Sequence, residues 1–235
     1  MTNLAQLRFF ATPPHPCSYL EDRRATTLFV DPAAEIDNEL YSSLSAMGFR
    51  RSGRHVYRPH CEACNACVPV RIPIAEFTPR RTQKRVRRRN ADLEVRITEP
   101  RLTEENYALY ARYIAARHAD GDMYPPSPDQ FRSFLLCEWS DTLFAEFRAD
   151  GELIAVAVTA PDSAGFPAIY TFYDPDQGDR SPGVFAILWQ IEHARTLGRS
   201  HLYLGYWIRQ CQKMSYKTDY RPLEMFVGGS WLRAS

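Results

Sequence analysis

The stretch from Leu202 to Pro222, LYLGYWIRQCQKMSYKTDYRP, interleaves Tyr203, Tyr206, Tyr216 and Tyr220 with Arg209, Lys213, Lys217 and Arg221. Aromatic faces beside cationic tips suit a ligand with flat rings and negative charge, such as a nucleotide end. The plainer alternative is a core segment whose tyrosines are half buried and whose cations reach back to water. A second group is Cys61-x2-Cys64-x2-Cys67, with Cys17 in an earlier loop. Thiols at two-residue spacing can converge on one cation, and thiolates favour zinc or an iron–sulfur centre. The run is similar to the start of a ferredoxin-type cluster motif without its fourth Cys-Pro, so Cys17 is the natural fourth ligand, with His15 and His60 in reserve. Unliganded thiols that merely lie close are the alternative.

A third group is the run PRRTQKRVRRRN. Arg80, Arg81, Lys84, Arg85, Arg87, Arg88 and Arg89 follow one another with no acidic residue between them, in a chain whose net charge is only +1. As a helix, the run would put Arg81, Lys84, Arg85 and Arg88 on one face, where like charges repel. A polyanion relieves that repulsion, which makes RNA, tRNA above all, the expected partner. A solvated surface helix is the bland alternative.

These groups must be held by ordinary elements. The chain has 235 residues, 45% hydrophobic and 24% charged, enough for a substantial core in one domain or two. No apolar run reaches membrane length, and the start MTNLAQLRFF lacks the features of a signal peptide. A cytoplasmic protein with reduced cysteines and no membrane contact is expected. Thr27 to Val30 reads as a strand, and Ile36, Leu40, Leu44 and Met47 as a helix ended by Gly48. Val68, Val70, Ile72 and Ile74 alternate as a strand, with Pro69 and Pro73 confining it to a sheet edge. Leu93 to Ile97 is a further strand. Thr103 and Ser127-Pro128 open two helices. From Thr142 the pattern becomes a meander, TLFAEFR, ELIAVAVTA and PAIYTFYD, followed by a helix from Ser181-Pro182 to Gly198 and a last strand, HLYLG.

A meander, a helix and another strand is how N-acetyltransferases build their transfer site. The fold class expected is α/β (α+β): an N-acetyltransferase-like mixed-sheet domain over 99–235 and a Cys-bearing α/β domain over 1–98. Arg180-Ser181-Pro182-Gly183-Val184-Phe185 is a poor pyrophosphate loop, because Phe185 is bulky and Pro182 lacks a donor.

The chain resembles the aminoacyl-tRNA–protein transferases, and within them the bacterial aspartate/glutamate leucyltransferases. The resemblance rests on GFRRSGRHVYRPHCEACNACVPVRIP, RHADGDMY, YTFYDPD with the following SPG, and LYLGYWIRQCQKMSYKTDYRP, which together span both halves of the chain. Eukaryotic arginyltransferases are similar over fewer segments and carry Cys-x-x-Cys where this chain has Cys17-Ser18-Tyr19-Leu20. What the resemblance implies is transfer of leucine from Leu-tRNA to the α-amine of a protein beginning with Asp or Glu, which marks it for N-degron degradation.

An aminoacyl ester is already activated, so no covalent intermediate or cofactor is required, and proximity carries much of the rate. Cys211 fits a structural thiol better than a nucleophile. Under the implied reaction, tyrosine hydroxyls or backbone amides near Tyr203 to Tyr206 are candidate oxyanion donors, and Tyr173, Asp174 and Tyr206 are the expected catalytic residues. Tyr170, Tyr173, Tyr206 and Trp207 are stacking surfaces for the terminal adenosine. Asp174 would orient or accept from the incoming ammonium, or serve only as a turn residue before Pro175. Arg209, Lys213, Lys217 and Arg221 would meet the acceptor's carboxylate. The rival readings are arginine as donor, a coenzyme A-dependent N-acetyltransferase, and a non-catalytic RNA-binding metal sensor; DNA is not an expected partner.

Overall fold

A computed structural model describes residues 4–163 and 165–234. Fourteen strands and five α-helices follow in the order β1 (Phe9–Ala11), β2 (His15–Pro16), β3 (Arg24–Ala25), β4 (Thr27–Val30), α1 (Asn38–Ala46), β5 (Arg50–Ser52), β6 (His55–Pro59), β7 (Val68–Pro73), α2 (Arg81–Arg89), β8 (Glu94–Thr98), α3 (Glu104–Arg117), α4 (Pro128–Leu135), β9 (Leu143–Ala149), β10 (Glu152–Thr159), β11 (Gly165–Tyr173), α5 (Pro182–Thr196), β12 (His201–Trp207), β13 (Glu224–Val227) and β14 (Ser230–Arg233) among the described residues. The helix starts follow the expected chemistry. Asp37, Thr103 and Ser127 each accept from a backbone amide three residues on, which satisfies one orphan donor per helix.

Eight strands form one mixed sheet in the order β14-β13-β7-β12-β11-β10-β9-β8, and β1-β4-β6-β5 form a smaller antiparallel sheet. The large sheet takes strands from both sides of position 98. Its core strand β10 is buried along Leu153 to Thr159 because both faces are covered. Val156 and Val158 pack with Tyr110, Phe131 and Phe172 on the side of α3 and α4. Ala155 and Ala157 meet Ala186 and the α5 aromatics on the other. Small residues under Phe185 and Trp189 let the helix sit close.

The expectation that β7 lies at an edge is overturned. It is interior, paired with β12 from His201↔Pro73 to Trp207↔Val68 and with β13 through Glu224↔Arg71 and Met225↔Val70. The prolines are tolerated because β13 engages only the middle of the strand. The hairpin β13–β14 and the short strands β1, β5 and β6 carry no periodicity long enough to read in advance.

No helix among the described residues is long and apolar enough to cross a membrane.

Candidate active site

The large sheet contains one parallel contact, and it opens into a fork. Among the described residues β11 and β12 pair only through Gly165↔His201, Phe166↔Leu202 and Pro167↔Tyr203. Beyond that point β11 stays with β10 and β12 stays with β7, so the strands separate. Backbone groups parted in this way must find other partners. Arg50, just before the Arg51 side chain that enters the core, supplies them: its guanidinium donates to the Tyr203 carbonyl at 3.3 Å and to the Ala168 carbonyl. One cation thus ties the two prongs together.

Gly205 makes this possible. The β12–β7 register shifts between Tyr203 and Gly205, and Gly205 adopts φ +80°. A Cβ there would lie 3.0 Å from the Arg50 Cζ. A glycine inside an apolar strand signals close approach of another group, and this was the available clue to Arg50.

Lys217 enters the same fork from the 3-10 segment Gln212–Asp219. It is 7% exposed, and its Nζ donates to the Tyr206 carbonyl. Burial pulls its pKa down to about 7, with the Arg50 charge adding to the effect and Cys211 opposing it. Neither Arg50 nor Lys217 has an ion pair among the described residues. Nearby carboxylates are committed elsewhere: Asp162 accepts from Ser42 and the Gly165 amide, Asp120 pairs with Lys213 at 2.7 Å, and Asp174 pairs with Arg112.

An aromatic wall stands beside the fork. Tyr113 lies 4.8 Å from Tyr173 and 6.1 Å from Tyr170, ring centre to ring centre, while Phe134 is 5.0 Å from Tyr170. The Tyr170 hydroxyl donates to the Met123 sulfur at 3.6 Å. Burial raises the phenol pKa of Tyr113 and Tyr170, so both stay neutral donors. Arg117 sits 5.9 Å over Tyr173.

The expected site residues are only partly gathered. Lys217 stands in the fork, and Tyr170 and Tyr173 belong to the aromatic wall beside it. Tyr206 does not offer a free hydroxyl: it is 7% exposed, and its hydroxyl is taken up by the carbonyls of Gly48 at 3.0 Å and Tyr57 at 3.3 Å. Its role is to bolt β12 to the smaller sheet. Asp174 does the work of a turn, with Oδ1 accepting from the Asp176 amide at 3.0 Å. Trp207 is half buried against the core that contains Val70, Ile72 and Leu204, so stacking on both its faces is prevented. Lys213 is paired with Asp120, and Arg221 donates to the Ala234 carbonyl at 3.0 Å. Arg209 is exposed. The four do not form one carboxylate clamp.

The basic run does form a helix, α2. Gln83 caps it by accepting from the Arg80 amide at 2.8 Å, and Gln83 and Asn90 are its buried polar residues. All seven cations are exposed. Arg80 meets Asp219 at 3.4 Å and Arg87 meets Glu192 at 3.7 Å, while Arg89 donates to the Asp179 carbonyl. Arg81, Lys84, Arg85 and Arg88 have no ion pair among the described residues. Gln83 also donates to the Asp219 carbonyl at 3.3 Å, which attaches α2 to the segment that carries Lys217.

Cys17, Cys61, Cys64 and Cys67 are free and half buried. The Cys67 thiol is pushed up to about 12 by burial and then by Cys17, Cys61, Cys64 and Cys211. Cys211 was not expected in this group; it joins because the 3-10 segment folds back toward the N-terminal loops. Among the described residues no set of three or more Cys, His, Asp or Glu side chains is arranged to hold a metal ion. Cys61 is instead engaged with Thr26, accepting from its amide at 3.5 Å. The thiols are neighbours without being an assembled ligand set among the described residues.

The chain thus holds a mixed sheet split between two parallel strands, with helices on both faces and cations in the split. Two family models match the chain: arginine-tRNA-protein transferase, N terminus, over residues 15–85, and arginine-tRNA-protein transferase, C terminus, over residues 105–227. The chain is 58% identical over 235 residues to an aspartate/glutamate leucyltransferase of Alcanivorax borkumensis, covering 100% of this chain and 97% of the relative. It is 57% identical over 232 residues to the enzyme of that name from Hahella chejuensis and 56% identical over 232 residues to that from Pseudomonas aeruginosa, covering 99% of both chains in each case. The solved structure of L-PGS from Bacillus licheniformis overlays loosely, with a TM-score of 0.47 and 11% identity over 86% of this chain and 69% of that one. The chain belongs to the arginine-tRNA-protein transferase family and is a tRNA-dependent aminoacyltransferase.

Proposed function

We propose that this enzyme transfers leucine from Leu-tRNA to the α-amine of proteins whose first residue is Asp or Glu. The product begins with leucine and is thereby marked for N-degron degradation. The observation that carries the choice of donor is the make-up of the fork: Arg50 and Lys217 stand in it, and the groups acting on Lys217 include no carboxylate. A donor bearing arginine would bring a third cation into a partly dry cleft, at a cost of several kcal/mol or a displaced proton. Leucine brings none and can bury its side chain on Tyr113, Tyr170, Phe134 and Met123.

The exposed face of α2, with Arg81, Lys84, Arg85 and Arg88, takes tRNA phosphates, and its bond to the Lys217 segment directs the acceptor end toward the fork. There the neutral α-amine attacks the ester carbonyl, the new C–N bond forms, and the ester C–O bond breaks to release the tRNA hydroxyl. Because the ester is already activated, holding the two partners together supplies much of the rate without a cofactor. Tyr173 and Tyr216 supply the phenol donors for the developing oxyanion.

The test is label transfer from Leu-tRNA, and separately from Arg-tRNA, to peptides that begin with Asp, Glu or Ala. Leucine on the Asp and Glu peptides alone is the expected result. Arginine transfer would replace the donor, and no transfer from either would remove the proposal.

A further inference from the structure

We infer that Arg50 and Lys217 together are the specificity-determining pair for the acceptor, a ready-made site for one carboxylate that Lys217 completes only when it carries a proton. The inference deepens the proposed function and rests on its acid-starting acceptor. It starts from an imbalance. Two cationic side chains share the fork, one half buried and one 7% exposed, and every hydrogen bond they make goes to backbone carbonyls. Buried charges are ordinarily paired, because an unpaired one forfeits its hydration. The missing partner is an anion, and it must arrive with a substrate.

The groups around Lys217 fix which anion fits. Arg50 from β5 and Cys211 act on its charge, the Tyr206 carbonyl of β12 accepts from it, and the ring of Tyr216, its neighbour in the chain, lies 5.9 Å away. No carboxylate acts on the lysine, and the buried Asp162 accepts from Ser42 and the Gly165 amide. A single planar carboxylate matches a guanidinium edge plus one ammonium. A phosphate is a poorer match, since the phosphate-binding cations are outside the fork on α2. The acceptor's first side chain has the required chemistry. Asparagine and glutamine have the same shape without the charge.

In the free enzyme Lys217 loses its proton above about pH 7. A carboxylate beside it favours the charged form, so an acid-starting acceptor binds with uptake of a proton where the lysine is neutral. Preference for acid over amide is therefore greatest below that pH and declines above it. The α-amine titrates alike in both peptides and cancels from their ratio.

The experiment measures kcat/KM for an Asp-starting peptide and its Asn-starting twin between about pH 6 and pH 9, in wild type and in Lys217→Met. The wild-type ratio should fall by about tenfold across that range, and the variant's ratio should be small and flat. A wild-type ratio that does not change with pH, or an unchanged ratio in a folded variant, overturns the inference. Calorimetric binding of Asp-Ala and Asn-Ala dipeptides to the wild-type protein without tRNA separates this inference from the functional one. An acid preference that declines with pH supports the carboxylate site even if no transfer is seen. Equal binding of the two dipeptides at every pH contradicts it even if transfer occurs.

Discussion

The protein concentrates positive charge in two neighbouring places under opposite conditions. On α2 the cations are exposed, numerous and mostly interchangeable; in the fork they are few, desolvated and tied to particular carbonyls. Exposed cations act through their sum and are screened by salt, whereas desolvated cations act singly and through geometry. The first arrangement suits a long polyanion met at many phosphates. The second suits one small anion that must be told from its uncharged twin. Gln83, capping α2 and donating to the Asp219 carbonyl, joins the two regions mechanically.

The comparison can be broken most severely at Arg50. Arg50→Ala removes two charged hydrogen bonds that hold the prongs, worth about 1.5–3 kcal/mol each, and should lower kcat/KM by about 10³-fold. Gly205→Ala should act in the same direction, because its Cβ would meet the guanidinium at 3.0 Å. Steady-state transfer assays check both; near-normal rates would remove Arg50 from the site. Replacing Arg81, Lys84, Arg85 and Arg88 together by Ala comes next. Affinity for tRNA should fall by about 10²-fold near 0.1 M salt, with a salt slope shallower by about 3, while the Asp-to-Asn ratio stays put. A filter-binding salt series measures this.

Smaller effects sharpen the contrast. The native pKa of Lys217 is lowered to about 7 from 10.5. Between those values the unfolded chain holds a proton that the native state lacks, so this residue makes stability rise with pH there and be least below about 7. Lys217→Met should therefore raise the melting temperature more at pH 6 than at pH 9, by about 4 °C or more. An equal change at both values would mean that the lysine is not desolvated. Tyr206→Phe should cost about 1–2 kcal/mol of stability and leave the chemical step within about threefold, since its hydroxyl serves Gly48 and Tyr57. A large loss of single-turnover rate at unchanged stability would restore it to the chemistry.

Much of the frame was legible in the sequence. The caps at Thr103 and Ser127 and the apolar pattern of the meander are local signals, and each element formed where they placed it. The basic helix was readable for the same reason. The interior position of β7 was not, because Pro69 and Pro73 argue locally for an edge and only the short reach of β13 removes the conflict. The site was half legible. Tyrosines and lysines in the 202–222 stretch announced chemistry, but which of them are spent on structure depends on partners far away in sequence, as with Tyr206 and Gly48 or Lys213 and Asp120. Arg50 was hidden by its neighbourhood of arginines; its signal lay in another strand, at Gly205.

The division of labour between the two charged regions is tested most directly by measuring transfer to Asp- and Asn-starting peptides as salt is raised from about 50 to about 200 mM. The expected result is that the KM for tRNA rises by roughly 10²-fold or more while the Asp-to-Asn ratio stays within about threefold, because α2 is screened and the fork is not. A ratio that collapses in step with tRNA affinity would contradict it, and would place acceptor recognition on the exposed surface.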